Sequence, residues 1–311
     1  PYWKYRFSDG KVWNENLAKS LGLDTSDADE YYNNAYGGSW ATSYDHQLTT
    51  WNVIRHPSLS ITNLIQGKLL PPSLGLEISA YILNFGKAAS DKTYFIFAGS
   101  NDYLNMLQFE DNYNPANMSS YVNHVVSGVL YSAERLMLAG AKKVVMFGVP
   151  DIGNTPNYRH TMDEEVITKA CDWHNERLTI GIDALRAKYP EVKITHINTQ
   201  QVFTSLYSKA ASYGISNTQD ACIDLPLPGY AFTANAPSHK SFGYNAVLEY
   251  AQYLKVPNGF GGFKNNFHAC SNPETYAFWD IIHPTAATHK ALSNEVCELM
   301  KADGYSMECK G

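Results

Sequence analysis

Thr93-Tyr-Phe-Ile-Phe-Ala-Gly-Ser-Asn-Asp102 is the stretch whose reading decides the fold. Its first six residues form a short unbroken apolar run, the pattern of a strand buried on both faces of a parallel sheet. Gly99-Ser100-Asn101-Asp102 follows at the strand's C-terminal end, where open α/β sheets bind their ligands. Working downstream, Val122, Val125, Val126, Val129, Ala133 and Leu136 mark one face of a long helix closed by Gly140. Val144 to Val149 reads as the next strand, ended by Pro150. From Met162 to Tyr189, Ile167, Cys171, His174, Leu178, Ile182 and Leu185 recur at helical spacing, which makes His174 a core histidine rather than a ligand. Ile194 to Ile197 predicts a strand and Val202 to Ala211 a helix.

Upstream, a Ser-Asp-Gly turn in the stretch from Phe7 to Leu21 precedes an amphipathic helix with Val12, Leu17 and Leu21 on one face. A strand is expected from Tyr31 to Tyr36, ending in Gly37-Gly38-Ser39, where glycine permits positive φ or close backbone approach. Residues 47 to 72 read as irregular, with a short helix near Leu64, and Pro71-Pro72-Ser73 opens a helix through Ile78, Ile82 and Leu83. Helices alternating with short apolar strands predict the α/β class, a parallel sheet covered on both faces. No break in composition divides residues 1–311, so one domain is expected.

The 311 residues are 44% hydrophobic and carry a net charge of −6, with no runs of Lys and Arg, which argues against nucleic acid as a partner. No apolar stretch reaches the roughly 20 residues of a bilayer span, and no basic-then-apolar leader opens the chain. The chain starts at Pro1, and residues upstream of it are expected. Cys171, Cys222, Cys270, Cys297 and Cys309 lack the paired short spacings of a zinc site, which leaves disulfides as the competing reading. Cys222 with Cys270 would close a loop of about 50 residues rich in Gly, Pro and aromatics, and Cys297 with Cys309 would tie down the tail. Cys171 remains as a buried thiol on a helix face. Two bridges imply an oxidising compartment.

The chemistry-bearing stretch is Tyr276-Ala-Phe-Trp-Asp-Ile-Ile-His-Pro-Thr-Ala-Ala-Thr-His289. It sets Asp280 three residues before His283 at the mouth of a helix. A carboxylate so placed orients an imidazole and stabilises its protonated form; the alternative is that His283 only helps cap the helix after Pro284 and Thr285. Ester hydrolysis by serine needs a base, a group that orients the base, and donors for the developing oxyanion. His283 and Asp280 fit the first two roles. The Gly38 N–H and the Asn101 amide fit the third without adding a charge that would quench the histidine.

Three ordered blocks, Asn33-Asn-Ala-Tyr-Gly-Gly38, Gly99-Ser-Asn-Asp102 and Phe278-Trp-Asp-Ile-Ile-His-Pro-Thr285, resemble the second, third and fifth blocks of the SGNH or GDSL hydrolases. Phe7-Ser-Asp-Gly-Lys-Val-Trp13 resembles the segment that follows that family's first block. Within the family the chain looks most like secreted bacterial phospholipases, lysophospholipases and glycerophospholipid–cholesterol acyltransferases of the thermolabile haemolysin branch. The resemblance implies a three-layer α/β/α, flavodoxin-like fold, with His283 as base, Asp280 as its orienting acid, and Gly38 and Asn101 as oxyanion donors. Gly38 is preferred to Gly37 by its spacing from Asn33, and Asp102 is read as ordering the Asn101 loop. It also implies a Cys222–Cys270 pair closing a 222–270 insertion open to an activating protease.

The family's Gly-Asp-Ser block occurs nowhere in residues 1–311. Ser8, Ser39 and Ser100 read as turn residues, so the nucleophile and the family's first strand are expected upstream of Pro1 or on a separate fragment. An interior strand missing from a parallel sheet would leave two rows of backbone groups unpaired, which a marginally stable domain does not tolerate. The implied function is a secreted or periplasmic serine ester hydrolase acting on phospholipid or lysophospholipid at a membrane surface, with sterol as an acyl acceptor. The implied chemistry needs no metal or organic cofactor. The alternatives are an esterase for non-lipid esters and an inactive binding module of the same fold.

Overall fold

The computed structural model describes residues 2–42, 50–55, 72–107, 110–223 and 269–309. The regular elements there are α1 (Trp13–Ser20), α2 (Thr50–Arg55), α3 (Leu74–Phe85), β1 (Thr93–Ile96), α4 (Ser100–Met106), α5 (Pro115–Leu138), β2 (Lys143–Phe147), α6 (Glu164–Lys188), β3 (Lys193–Ile197), α7 (Thr199–Ser208), β4 (Asn217–Ala221), β5 (Tyr276–Phe278) and α8 (Ala286–Ala302). Strands β1, β2 and β3 form one parallel sheet in that order, with Tyr94 opposite Val144 and Val144 opposite Ile194. Strands β4 and β5 pair in parallel as a second, smaller sheet.

Pleating divides the core. Val144 and Met146 of β2 point into a cluster with Ile78 of α3, Val125 and Val129 of α5, and Ile167 and Leu178 of α6. Val145 and Phe147 point the other way, onto Leu17 of α1, Val202 and Leu206 of α7, and Leu292 and Val296 of α8. Helices thus cover both faces of a parallel sheet, the three-layer α/β arrangement expected. Local signals fix the helix starts. Asn114 accepts from Ala116 N at 2.9 Å ahead of Pro115, and Thr285 Oγ1 accepts from Thr288 N at 3.2 Å. Gly140 ends α5 at φ 121°, where a Cβ would lie 2.6 Å from the Ala88 carbonyl oxygen.

Several expectations are corrected. Tyr31 to Tyr36 is not a strand, because no described segment pairs with it; its backbone is instead held by side chains, as set out below. The run from Thr93 is strand only as far as Ile96 and is not buried on both faces. It lies at the edge of the described sheet, and Phe95 is 38% exposed beside Trp13. Residues 50–55, read as irregular, are helical, and a further helix, α4, starts directly after Gly99. The helix expected near Leu64 and the aromatic region between Cys222 and Cys270 lie outside the described residues.

Both disulfides are present, Cys222–Cys270 and Cys297–Cys309, and Cys171 is a buried free thiol. His174 is a fully buried core residue, its Nδ1 2.7 Å from the Tyr103 hydroxyl. Burial first, then His196, pushes His174 down to about 3, so it is neutral.

Candidate active site

β5 delivers the loop that carries the candidate acid and base. Trp279 N donates to the His283 carbonyl at 2.8 Å, so the loop doubles back within four residues and α8 begins at once under its Thr285 cap. Asp280 is fully buried at its apex. Its Oδ1 accepts from the Ile282 and His283 backbone amides at 2.8 and 2.7 Å, an aspartate turn that fixes the carboxylate plane. Its Oδ2 lies 2.8 Å from His283 Nδ1 and accepts from the Tyr2 hydroxyl at 2.8 Å.

Burial acts to raise the Asp280 pKa, but the His283 charge, its ring hydrogen bond and the two amides outweigh it, and the carboxyl titrates below its ordinary value. Asp280 is therefore ionised at neutral pH and holds Nδ1–H toward itself, which leaves Nε2 as the acceptor nitrogen. The imidazole is part-exposed, at 29% of its side-chain surface. Among the described residues nothing hydrogen-bonds Nε2. His289 on α8 is pushed down to about 3 by burial and then by the His283 charge, so it is neutral and adds no cation beside His283.

The glycine turn approaches from another part of the chain. Ser39 N donates to the Tyr36 carbonyl at 3.1 Å, and Gly38 takes φ 83°, a left-handed conformation that glycine adopts without strain. α3 and α4 hold this turn from either side. Glu77 accepts from Tyr36 N at 3.2 Å, Leu74 N donates to the Trp40 carbonyl at 2.7 Å, and Asp102 accepts from Ala41 N at 2.8 Å and Thr42 Oγ1 at 3.3 Å. Burial raises both carboxyls to about 7 against those hydrogen bonds. Asp102, the neighbour of Asn101, thus ties the first turn of α4 to the segment that follows the glycine turn.

Asn101, in the first turn of α4, donates one Nδ2 hydrogen to the Ser39 carbonyl at 2.8 Å. Its side-chain amide carries a second hydrogen, for which no acceptor exists among the described residues. The Gly38 N–H likewise has no acceptor there. Gly99 makes this placement feasible: at φ 124° its missing Cβ would lie 3.1 Å from His174 Cε1.

Phe7 joins the two halves. Its ring stacks on His283 with centroids 4.7 Å apart and 17° between planes, while a Cβ on Gly37 would come within 2.3 Å of its Cε2. The segment around Phe7 is latched to the acid–base loop, since Ser8 Oγ donates to the Pro284 carbonyl at 3.0 Å and Ala286 N donates to Asp9 Oδ1 at 2.6 Å. Ser8 is fully buried in that latch, Ser39 Oγ donates to the Pro72 carbonyl, and Ser100 starts α4. Tyr2, Phe7 and Glu77 are contacts that sequence reasoning missed. The Phe7 segment was flagged by its block, whereas nothing local marks Tyr2 or Glu77.

The buried, ionised Asp280 carboxylate aligns the His283 imidazole, and the Phe7 ring stacked on that imidazole reaches the glycine turn to which Asn101 is tied. Residues 2–296 match the GDSL-like lipase/acylhydrolase family, and the chain belongs to it. The chain is 26% identical over 308 residues to a phosphatidylcholine-sterol acyltransferase of Aeromonas hydrophila, covering 97% of this chain and 82% of that protein. It is 25% identical over 297 residues to a thermolabile hemolysin of Vibrio parahaemolyticus, covering 94% of this chain and 55% of the hemolysin. A GDSL esterase/lipase of Arabidopsis thaliana is 26% identical over 209 residues, covering 64% of this chain and 50% of the plant protein. The chain thus spans about half the length of two of these three relatives. Membership supports acyl-ester hydrolysis of the lipase and esterase type, and the two disulfides fit an oxidising, extracellular setting.

Proposed function

We propose that this chain supplies the acid–base and oxyanion-binding parts of a serine hydrolase that cleaves acyl esters of phospholipids or lysophospholipids through an acyl-enzyme. The observation that carries the reading is the buried Asp280 carboxylate 2.8 Å from His283 Nδ1, which leaves Nε2 to act as base. In this mechanism a serine hydroxyl attacks the ester carbonyl and gives its proton to His283 Nε2. Asp280 stabilises the imidazolium, and the Gly38 N–H and the second Asn101 Nδ2–H receive the oxyanion. His283 then protonates the leaving alkoxide. Water, or an alcohol such as a sterol, enters by the reverse proton path and releases the acyl group. The serine is proposed to lie outside residues 1–311, because the Gly-Asp-Ser block that supplies it in the family occurs nowhere in them.

Support for a lipid substrate comes from relatives named as a phosphatidylcholine-sterol acyltransferase and a hemolysin. A secreted or periplasmic protein that meets membranes transiently, with residues 222–270 as a disulfide-closed insertion that is the candidate for proteolytic activation, accords with the same likeness. The proposal is tested by giving the full-length protein phosphatidylcholine, lysophosphatidylcholine, p-nitrophenyl butyrate and an acetylated sugar, each with and without cholesterol, and labelling it with a fluorophosphonate. Turnover of aryl or sugar esters alone would remove the lipid assignment. No turnover and no labelling would leave an inactive module of the same fold.

A further inference from the structure

The acid–base loop is held by a strap from the far end of the chain. Along residues 2–9, Tyr2 bonds Asp280, Phe7 stacks on His283, Ser8 bonds the Pro284 carbonyl and Asp9 receives Ala286 N. The strap is anchored in turn, since Arg6 Nε and Nη2 reach Glu15 of α1 at 3.1 and 2.6 Å and Trp3 N donates to the Ser8 carbonyl at 2.9 Å. Three of these contacts touch backbone or a ring face. Among the described side chains of the strap, Tyr2 is the one that touches the carboxylate oxygen that also faces the imidazole.

We infer that Tyr2 is a positioning residue that tunes the Asp280–His283 pair by donating its hydroxyl hydrogen to Asp280 Oδ2. This rests on the proposed assignment of Asp280 and His283 as orienting acid and base. With Oδ1 saturated by two backbone amides, Oδ2 has two lone-pair directions; His283 takes one and Tyr2 the other. A neutral donor on Oδ2 spreads the carboxylate charge and weakens its pull on the imidazolium. It also leaves no free acceptor direction on Oδ2 for water. Among the described residues the titratable groups facing the imidazole are Asp280 from its own loop, Tyr2 from the strap at one remove, and His289 from α8, which is neutral.

Tyr2→Phe deletes the hydroxyl and keeps the ring that packs at 5.7 Å from Phe7 and beside Trp279. In the full-length protein the freed Oδ2 holds the imidazolium more strongly, so the His283 pKa, followed by NMR of the ring carbons, rises by about half a unit to one unit. The acid limb of the kcat/KM profile on a soluble aryl ester moves upward by the same amount, with KM unchanged. Tyr2→Leu, which also removes the ring, separates packing from hydrogen bonding. An unchanged His283 pKa in a folded Tyr2→Phe protein overturns the inference, as does a shift that appears only in Tyr2→Leu. The NMR titration needs no turnover, so an inactive protein would fail the functional proposal while still deciding the role of Tyr2.

Discussion

Replacing Asp280 by asparagine tests the proposed acid–base pair at its most constrained atom. The Ile282 and His283 amides both donate to Oδ1, so the asparagine carbonyl must take that place and its NH2 must take the place of Oδ2. Oδ2 now lies 2.8 Å from His283 Nδ1 and 2.8 Å from the Tyr2 hydroxyl. An NH2 there meets a nitrogen that must become an acceptor, which moves the imidazole proton to Nε2 and removes the base. In a Ser-His-Asp enzyme this tautomer change costs about 10⁴ in turnover. A loss of about 10³–10⁴ in kcat is expected here, equivalent to about 4–5.5 kcal/mol of transition-state stabilisation. The assay is kcat and KM of the full-length variant on a chromogenic ester, beside a urea melt. The Asp280 pKa is depressed in the folded state, so its contribution to stability is present above its unfolded value and is lost as pH falls. The variant therefore loses less stability than the parent on going to acid. Turnover within tenfold of the parent, in a variant that melts cooperatively, would refute the assigned roles.

Other outcomes follow from the same geometry. His283→Ala, measured the same way, should lower turnover by several orders of magnitude and leave the melt near that of the parent, because the ring lies at the surface of the core. Asp102 and Glu77 have folded pKa values raised to about 7, so the stability they add is full below their unfolded values and is lost as pH rises from about 4 to about 7. Urea melts across that range should show the fall, and Asp102→Asn should flatten it by up to about 1.4 kcal/mol per pH unit. Gly38→Ala forces φ 83° on a residue with a Cβ and should cost about 1–2 kcal/mol in the melt. Gly37→Ala instead collides with Phe7, and its effect should appear mainly in kcat through the ring stacked on His283. Reduction should cost about 4 kcal/mol for the bridge spanning 48 residues and about 3 kcal/mol for the one spanning 12, read from melts of single-pair serine variants.

Much of the scaffold was legible because its signals are local. The valine face of α5, its Gly140 stop and the Thr285 cap act within a turn or two of chain. Cysteine arithmetic gave both bridges. The Thr93 run misled because an unbroken apolar stretch reports burial of the strand's surroundings, whereas Phe95 faces Trp13 at the sheet edge and stays part-exposed. Tyr31 to Tyr36 misled for a related reason: β-propensity is realised only where a partner strand offers its backbone, and here Glu77 takes the Tyr36 amide instead.

Residue types and their order along the chain determined by themselves the alternation of helices and strands, the helix caps, the cysteine pairs and the separate blocks holding Gly38, Asn101, Asp280 and His283. Tertiary structure decided what those blocks do to one another. The Ser39 carbonyl that ties Asn101 to the glycine turn, the Phe7 ring between Gly37 and His283, and the Tyr2 hydroxyl on Asp280 across 278 residues all depend on how distant segments pack. Hydrogen bonds within a turn leave a pattern in neighbouring residues, while a contact made only after the core has closed leaves none.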